Sequence, residues 1–500
     1  MGFVLLCILL ALFYLSYAWL SRSLRDYPGP FLAKFTNAYS AAYAINGTLH
    51  TRIFKTHQDH GSMVQIGPNR LVFNSATALQ DIYHNEKVSK APIYLATQAR
   101  SGAFSIWNVL DRDLHRRKRK MVGRATSDAS MKLFESSMQE QIDIFIGHLR
   151  ETEGQPVDMK TRCSYLSFDI IGLLSFGYAL RLQTDKTNQF LPELLSRTNH
   201  RMNVYIQFPV IPRCKLQKFL NLPFRQEREK TARLIETMVR SRMSQDKDAK
   251  RDLYFHVADA VQAKDDETLR VGDLWLEAFF FIIAGGDTVA TTLCATLFYL
   301  TRNRKCYSKL AHEIRNAVQD DSEITGATAG GLSYLRACID EAMRMSPPVP
   351  GTLWRHVAQE DMNEGSLVVD GQTIPPGTQV GVNIYSLHHN TRYFPDPFTY
   401  NPDRWMSPSL SEDEEIRRKS MQDAFAPFSI GSRGCAGKPM AYMELTLTLA
   451  KLFWHFDFEA APGKLGTIGA GKHGEFQLRD VFTAAYDGPF IVFKARNTSL

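Results

Sequence analysis

The sequence predicts a mainly α-helical protein with a small β portion, on three observations. Apolar residues recur every three or four positions from about residue 110 to 345, as in Met138-Gln139-Glu140-Gln141-Ile142-Asp143-Ile144-Phe145-Ile146. Strand-like stretches are few, short and drawn from both ends of the chain. No Pro/Gly/Ser-rich linker or repeat divides the chain after residue 30, so one large body is expected despite a length of 500 residues.

The elements follow in chain order. Residues 3–20 are uncharged and almost wholly apolar, and as a helix they would span roughly 27 Å, enough for a thin bilayer. Arg22 and Arg25 follow at once and no basic residue precedes, which places the following chain in the cytosol. A cleaved secretory signal would carry a basic start, a shorter apolar run and a small-x-small site, none of which is clear here. Residues 1–26 are therefore expected to be a transmembrane anchor with its juxtamembrane segment, and residues 27–500 the catalytic body. Tyr27-Pro28-Gly29-Pro30 marks the break, since proline fixes φ and ends the helix.

Short strands are expected near Met63-Val64-Gln65-Ile66, Asn69-Arg70-Leu71-Val72-Phe73, Leu367-Val368-Val369, Gln379-Val380-Gly381-Val382 and Phe490-Ile491-Val492-Phe493. The basic run His115-Arg116-Arg117-Lys118-Arg119-Lys120 reads either as a solvated helix face or as a docking surface for an acidic partner. Residues 274–300 hold almost no charge, so a helix there runs through the core. It contains Ala284-Gly285-Gly286-Asp287-Thr288, an expensive interruption: glycine costs about 1 kcal/mol in a helix interior, and Asp287 is a nearly lone acid. Either the glycines admit another element and Asp287 is capped in the core, or the glycines make room for a flat cofactor that Asp287 and Thr288 serve.

The net charge of +7 is modest for this length and is no nucleic-acid footprint. Seven scattered cysteines give neither a disulfide framework nor a zinc spacing, and read as reduced thiols, most of them small core residues. Adjacent His388 and His389 cannot face one ion from a helix or strand and read as structural. The exception among the cysteines is Cys435, in Phe428-Ser429-Ile430-Gly431-Ser432-Arg433-Gly434-Cys435-Ala436-Gly437, ahead of a helix from about 438 to 456. Glycines allow a tight loop with N–H groups aimed at sulfur, and a helix N-terminus favours the thiolate. A phosphate loop fails on Ser432 and Pro439, and no second cysteine or His-Glu-x-x-His helix supports zinc.

At this point the chain resembles the cytochrome P450 family, in four motifs in the family's order. Phe428, Gly431, Arg433, Cys435 and Gly437 match Phe-x-x-Gly-x-Arg-x-Cys-x-Gly. Glu341 and Arg344 match Glu-x-x-Arg, Arg404 in Asn401-Pro402-Asp403-Arg404-Trp405 matches the third member of a buried charge triad, and residues 284–288 match the oxygen-activation motif. The resemblance implies haem b bound through Cys435 to iron. It implies propionate contacts from His115, Arg119, Arg355 and Arg433, with His115 standing where the family usually has Trp. It implies Asp287 and Thr288 as proton donors, and Glu341, Arg344 and Arg404 as structural. Val289, where Thr or Ser is frequent, departs from the pattern.

By the same resemblance the activity is a monooxygenation fed by NADPH through a membrane-bound flavoprotein reductase, with Arg116, Arg117, Lys118 and Lys120 as candidates for its docking face. The location implied is the endoplasmic reticulum membrane, with the body in the cytosol. The substrate is expected to be an apolar small molecule, in secondary metabolite biosynthesis, against Phe104, Ile106, Trp107, Phe280, Phe281, Ala284, Val349, Leu353 and Phe482. Desaturation, ring coupling or rearrangement on the same haem, and a membrane-tethered electron carrier, are the rival readings.

Overall fold

The computed structural model describes residues 24–98, 102, 104–152, 154–250, 252–256, 271–357, 366–406 and 411–496. The expected anchor at residues 3–20 lies outside them. Among the described residues, the helix long and apolar enough to cross a membrane is Trp275–Arg302, and it is a core helix.

Helices occupy most of the chain between Arg112 and Met345, as the periodicity predicts. The long helix Val271–Arg302 runs through their middle, with Leu293, Cys294, Ala295, Leu297, Phe298 and Leu300 fully buried. Helix Met159–Phe176 packs along it, and the two glycines explain how closely. A Cβ at Gly285 would lie 2.7 Å from the Ile171 side chain, and one at Gly286 would lie 2.7 Å from the Phe168 ring. Their first task is therefore helix contact, the structural alternative left open by the sequence.

The five-stranded sheet has the order Met63–Gly67, Arg70–Phe73, Gln379–Val382, Arg355–Val357, Val88–Lys90. Its second and third strands are parallel, pairing Arg70 with Gln379 and Phe73 with Val382. The last pair is antiparallel and sets Lys90 directly opposite Arg355. A three-stranded sheet joins Val157–Asp158, Phe490–Ala495 and Phe456–Ala460. The hairpin Arg479–Val481 and Thr483–Ala485 turns at Phe482, a bulky residue held at φ +84°.

One boundary and one side chain differ from expectation. The helix after the cysteine loop is Lys438–His455, and Phe456 instead opens a strand paired with Ala495. Lys118, read as part of an exposed basic run, points inward and is ion-paired with Glu277 at 2.9 Å, both side chains nearly inaccessible. The one-turn offset from Leu114 to Lys118 places it on the buried stripe with His115 and Val122, while Arg116, Arg117 and Lys120 stay exposed.

Candidate active site

The cysteine loop is shaped by its own backbone. Cys435 N–H donates to Phe428 O at 2.8 Å and Gly434 N–H to Gly431 O at 3.0 Å. Gly431 sits at φ +73°, and a Cβ there would lie 2.0 Å from the Tyr83 carbonyl oxygen, so only glycine fits. Arg433 reaches across to the carbonyls of Val109 and Leu110, both at 2.8 Å. Arg119 donates to Gly434 O at 2.5 Å and to Cys435 O at 3.3 Å, clamping the loop from the basic helix Arg112–Ala125.

Burial pushes the Cys435 thiol up, while N–H bonds from Gly437 and Lys438 and the Arg119 and Lys438 charges pull it back. The sulfur thus lies at a helix start with donors aimed at it. Cys435 is nevertheless accessible, because its surface faces an internal cavity of about 330 Å³ rather than a neighbouring side chain.

Behind the loop stands the triad. Glu341, fully buried, accepts from Arg344 Nε at 2.9 Å and Nη2 at 2.8 Å, from Arg404 Nε at 3.0 Å, from Asn401 N–H at 3.0 Å and from Trp405 Nε1 at 3.0 Å. Arg344 also donates to His388 O and Pro397 O. His388 Nε2 in turn accepts the Ala426 N–H just ahead of the loop, so both arginines and the histidine brace the segment that carries Cys435. His388 is buried in this role, and His389 is buried beside it against the Tyr385 carbonyl.

The cavity lies between the long helix, at Ala284, Thr288 and Val289, and the cysteine helix, at Met440, Ala441 and Leu445. One rim is basic: Lys90, Arg119, Arg355 and Arg433 line it, with the His115 imidazole among them. Among the described residues, no carboxylate forms an ion pair with Lys90, Arg119, Arg355 or Arg433. Burial, then Arg433, Lys90, Arg119 and Arg355, hold the His115 imidazolium down to about 3, and burial and Arg355 lower Arg433 to about 10. A buried cluster of like charges is stable only opposite an anion. An apolar slot, an accessible sulfur on one wall and unpaired cations on one edge together fit a flat macrocycle with a sulfur-ligated metal and acidic side arms. Haem meets that description.

On the opposite wall Thr288 Oγ donates to Ala284 O at 2.7 Å. Asp287 is not in the wall itself. Its Oδ2 accepts from Asn199 Nδ2 at 3.2 Å and Thr483 Oγ at 3.1 Å, and both of those residues line the cavity. Burial, only partly offset by those two bonds, raises the Asp287 carboxyl to about 7.

Of the residues expected to meet here, Cys435, His115, Arg119, Arg355, Arg433, Phe428, Gly437, Thr288, Ile106, Trp107, Phe280, Phe281, Ala284, Val349, Leu353 and Phe482 line one cavity. Gly431 instead backs the loop against Tyr83. Phe104 is not in the wall either, because it precedes the turn that brings Ile106 and Trp107 inward. Trp107 stacks parallel to Phe280 at 6.0 Å and meets Phe482 edge-on at 4.9 Å. Lys90, Asn199 and Thr483 escaped the sequence reading; a cation within a strand and an amide in a helix carry no local signal of a site.

The comparisons agree with this geometry. The Cytochrome P450 family profile matches residues 28–468. The chain is 34% identical over 488 residues to cytochrome P450 monooxygenase poxM of Penicillium oxalicum, covering 96% of this chain and 91% of that one. It is 34% identical to cytochrome P450 monooxygenase AKT7 of Alternaria alternata, covering 94% and 92%. It is 31% identical to cytochrome P450 monooxygenase atnE of Emericella nidulans, covering 94% and 92%. A thiolate loop of this shape, a cavity of this charge and relatives matched along nearly their whole length leave one assignment: the chain belongs to the cytochrome P450 family and is an oxidoreductase of its monooxygenase type.

Proposed function

We propose that this enzyme oxidises an apolar small molecule with molecular oxygen, using electrons from NADPH delivered by a membrane-bound flavoprotein reductase. One oxygen atom enters the product and the other leaves as water. The observation that carries the reading is the Cys435 sulfur, open to an internal cavity whose rim holds cations that form no ion pair among the described residues.

Cys435 would hold haem b there, and that group would supply the oxygen activation, as thiolate-ligated haem does. The chain's own residues do the rest. The Gly437 and Lys438 N–H groups and Arg119 favour negative charge on sulfur against the burial that opposes it. Lys90, Arg355 and Arg433, with the neutral His115 as a further donor, would hold the cofactor's carboxylates at that rim. The Thr288 hydroxyl, which lines the cavity from the long helix, would hand a proton into it by turning away from the Ala284 carbonyl. Asp287, near neutrality in its titration and bonded to the cavity-lining Thr483 hydroxyl, would supply protons through that hydroxyl. Trp107, Phe280, Phe281 and Phe482 exclude water and favour an apolar guest such as a terpenoid, polyketide or fatty derivative of secondary metabolism.

Residues 1–26 serve as the membrane anchor and residues 27–500 as the catalytic body on the cytosolic side of the endoplasmic reticulum. The exposed Arg116, Arg117 and Lys120 offer the reductase a basic face, and Lys118 does not contribute. The test is the spectrum of the reduced protein with carbon monoxide, wild type against Cys435→Ala. A thiolate-type band that vanishes in the variant is expected; protein free of porphyrin, or a band indifferent to the substitution, refutes the assignment.

A further inference from the structure

A second cavity, of about 240 Å³, lies between the helices Asp128–Arg150 and Met159–Phe176. Phe134, Ser137 and Met138 line it from the first helix, and Ile170, Leu173 and Leu174 from the second, each set on one helical face. It is a cleft with an exposed mouth and a buried floor. Leu133 at the mouth is 61% exposed, whereas Met138 and Ile170 are 1% and 2% exposed.

The floor is shared with the site already described. Phe134 and Leu174 also line the internal cavity, so a single layer of side chains separates the two spaces. Leu174 lies one turn beyond Ile171, the side chain that Gly285 admits, and Gly285 and Thr288 line the internal cavity beside it. The partition therefore abuts the stretch of the long helix that carries Thr288. Lys250 and Asp252 form the third wall, which is tied down. Arg242, fully buried, pairs with Asp252 at 2.6 Å and donates to the carbonyls of Asp246, Lys247 and Lys250 at 3.0, 2.8 and 3.1 Å. The Lys250 ammonium donates to Gly177 O, and glycine is needed there, since a Cβ would lie 2.3 Å from Lys250 Cδ. A wall held at both ends cannot relax into the gap, so the cleft stays open where a core would ordinarily close.

We propose that this cleft is the entry for dioxygen, with Phe134 and Leu174 as the partition that swings aside. The inference rests on the internal cavity being the haem chamber of the function proposed above, and it adds how the second reactant arrives once an apolar guest fills the side lined by Trp107, Phe280 and Phe482. Both faces of the partition are apolar. Water crossing it gives up hydrogen bonds with nothing in exchange, whereas an apolar diatomic gives up none. The passage thus admits dioxygen while the chamber stays dry, and it delivers the gas beside Thr288.

The test uses the full-length, reduced holoenzyme and carbon monoxide, an apolar diatomic like dioxygen. A laser flash detaches the gas, and its bimolecular return is timed at the thiolate-type band; its spontaneous escape is timed by displacement with nitric oxide. Ser137→Trp fills the cleft from a half-buried position outside the internal cavity. It is expected to slow return and escape alike by about tenfold, the factor given by about 1.4 kcal/mol of added barrier. Leu174→Ala thins the partition and is expected to speed both. A barrier crossed on the way in is crossed again on the way out, so the carbon monoxide dissociation constant of the tryptophan variant stays at the wild-type value. Leu173→Trp, which also faces the cleft and not the chamber, serves if the first variant fails to take up haem. Rates untouched by either substitution, or a tryptophan variant whose dissociation constant moves with its rates, overturn the passage and leave the chamber standing. Wild-type protein without a thiolate-type band overturns the chamber, and the passage with it.

Discussion

Replacing Asp287 with asparagine tests the buried acid through stability, independently of turnover. The carboxyl titrates at about 7 in the folded protein against an ordinary 3.8, mainly because burial disfavours its charge. Between those values the folded protein keeps a proton that the unfolded chain has released, so the contribution to stability falls as pH rises. The slope is about 1.4 kcal/mol per pH unit, and over about 3 units the loss reaches a ceiling of about 4 kcal/mol above neutrality. An asparagine in its place carries no such penalty, and the amide oxygen can still accept from Asn199 and Thr483. The variant should therefore gain on wild type by about 2 kcal/mol between pH 5.5 and pH 8.5. At about 2.1 cal/mol/K per residue over 500 residues, that is a relative rise in Tm of about 2 °C. Differential scanning of both proteins at the two pH values measures it. A difference that ignores pH, or that favours wild type at the alkaline end, refutes the placement of Asp287 as a buried, nearly uncompensated acid.

Four further outcomes follow from particular contacts. Glu341→Ala leaves two buried guanidinium groups without their carboxylate and should cost about 3–5 kcal/mol, read as loss of folded, haem-containing protein on expression. Gly286→Ala forces a methyl against the immobile, fully buried Phe168 ring and should cost about 1–3 kcal/mol in urea unfolding, with the cysteine loop unchanged in its carbon monoxide spectrum. Lys118→Ala should destabilise the fold by removing the ammonium of a buried ion pair, although Glu277 keeps the Ile106 N–H. Arg116→Ala, in an exposed pair with Asp113, should leave stability within about 0.5 kcal/mol and slow reduction by the reductase most at low salt.

What the sequence disclosed about the site was what local chemistry forces into local pattern. A thiolate at a helix start needs glycines on both sides of it, so residues 428–437 could be read without a fold. Glu341 and Arg344 share a helix face and could be read the same way. The long apolar helix was legible, but its glycines were not, since the contact that requires them comes from Ile171 and Phe168, more than a hundred residues earlier. Lys118 looked like its neighbours in a basic run, and only the path of the helix against Glu277 separates it from them. Phe456 continues the apolar period of Leu452 and Phe453, yet strand pairing to Ala495 claims it. Asn199 meets Asp287 across 88 positions and Thr483 across 284, a meeting that no spacing announces.

Lys90 shows how far the missing information bears on function, because strand register alone puts it opposite Arg355. Like charges facing each other across a ladder destabilise it, and Lys90 is also pushed well below the usual ammonium range, by burial first and then by Arg355 and Arg433. In the protein without cofactor, Lys90→Met should therefore be stabilising, even allowing for the bond Lys90 gives up to the Trp107 carbonyl. With haem bound, the same change removes a cation from the edge that faces its carboxylates. A charge-assisted bond of about 1.5–3 kcal/mol is then lost, and haem should transfer to apomyoglobin about ten to a hundred times faster. Thermal unfolding of the cofactor-free protein and the haem-transfer rate thus move in opposite senses for one substitution. If both worsen, Lys90 is an ordinary structural residue; if both improve, the cationic rim is not where the cofactor's acids lie.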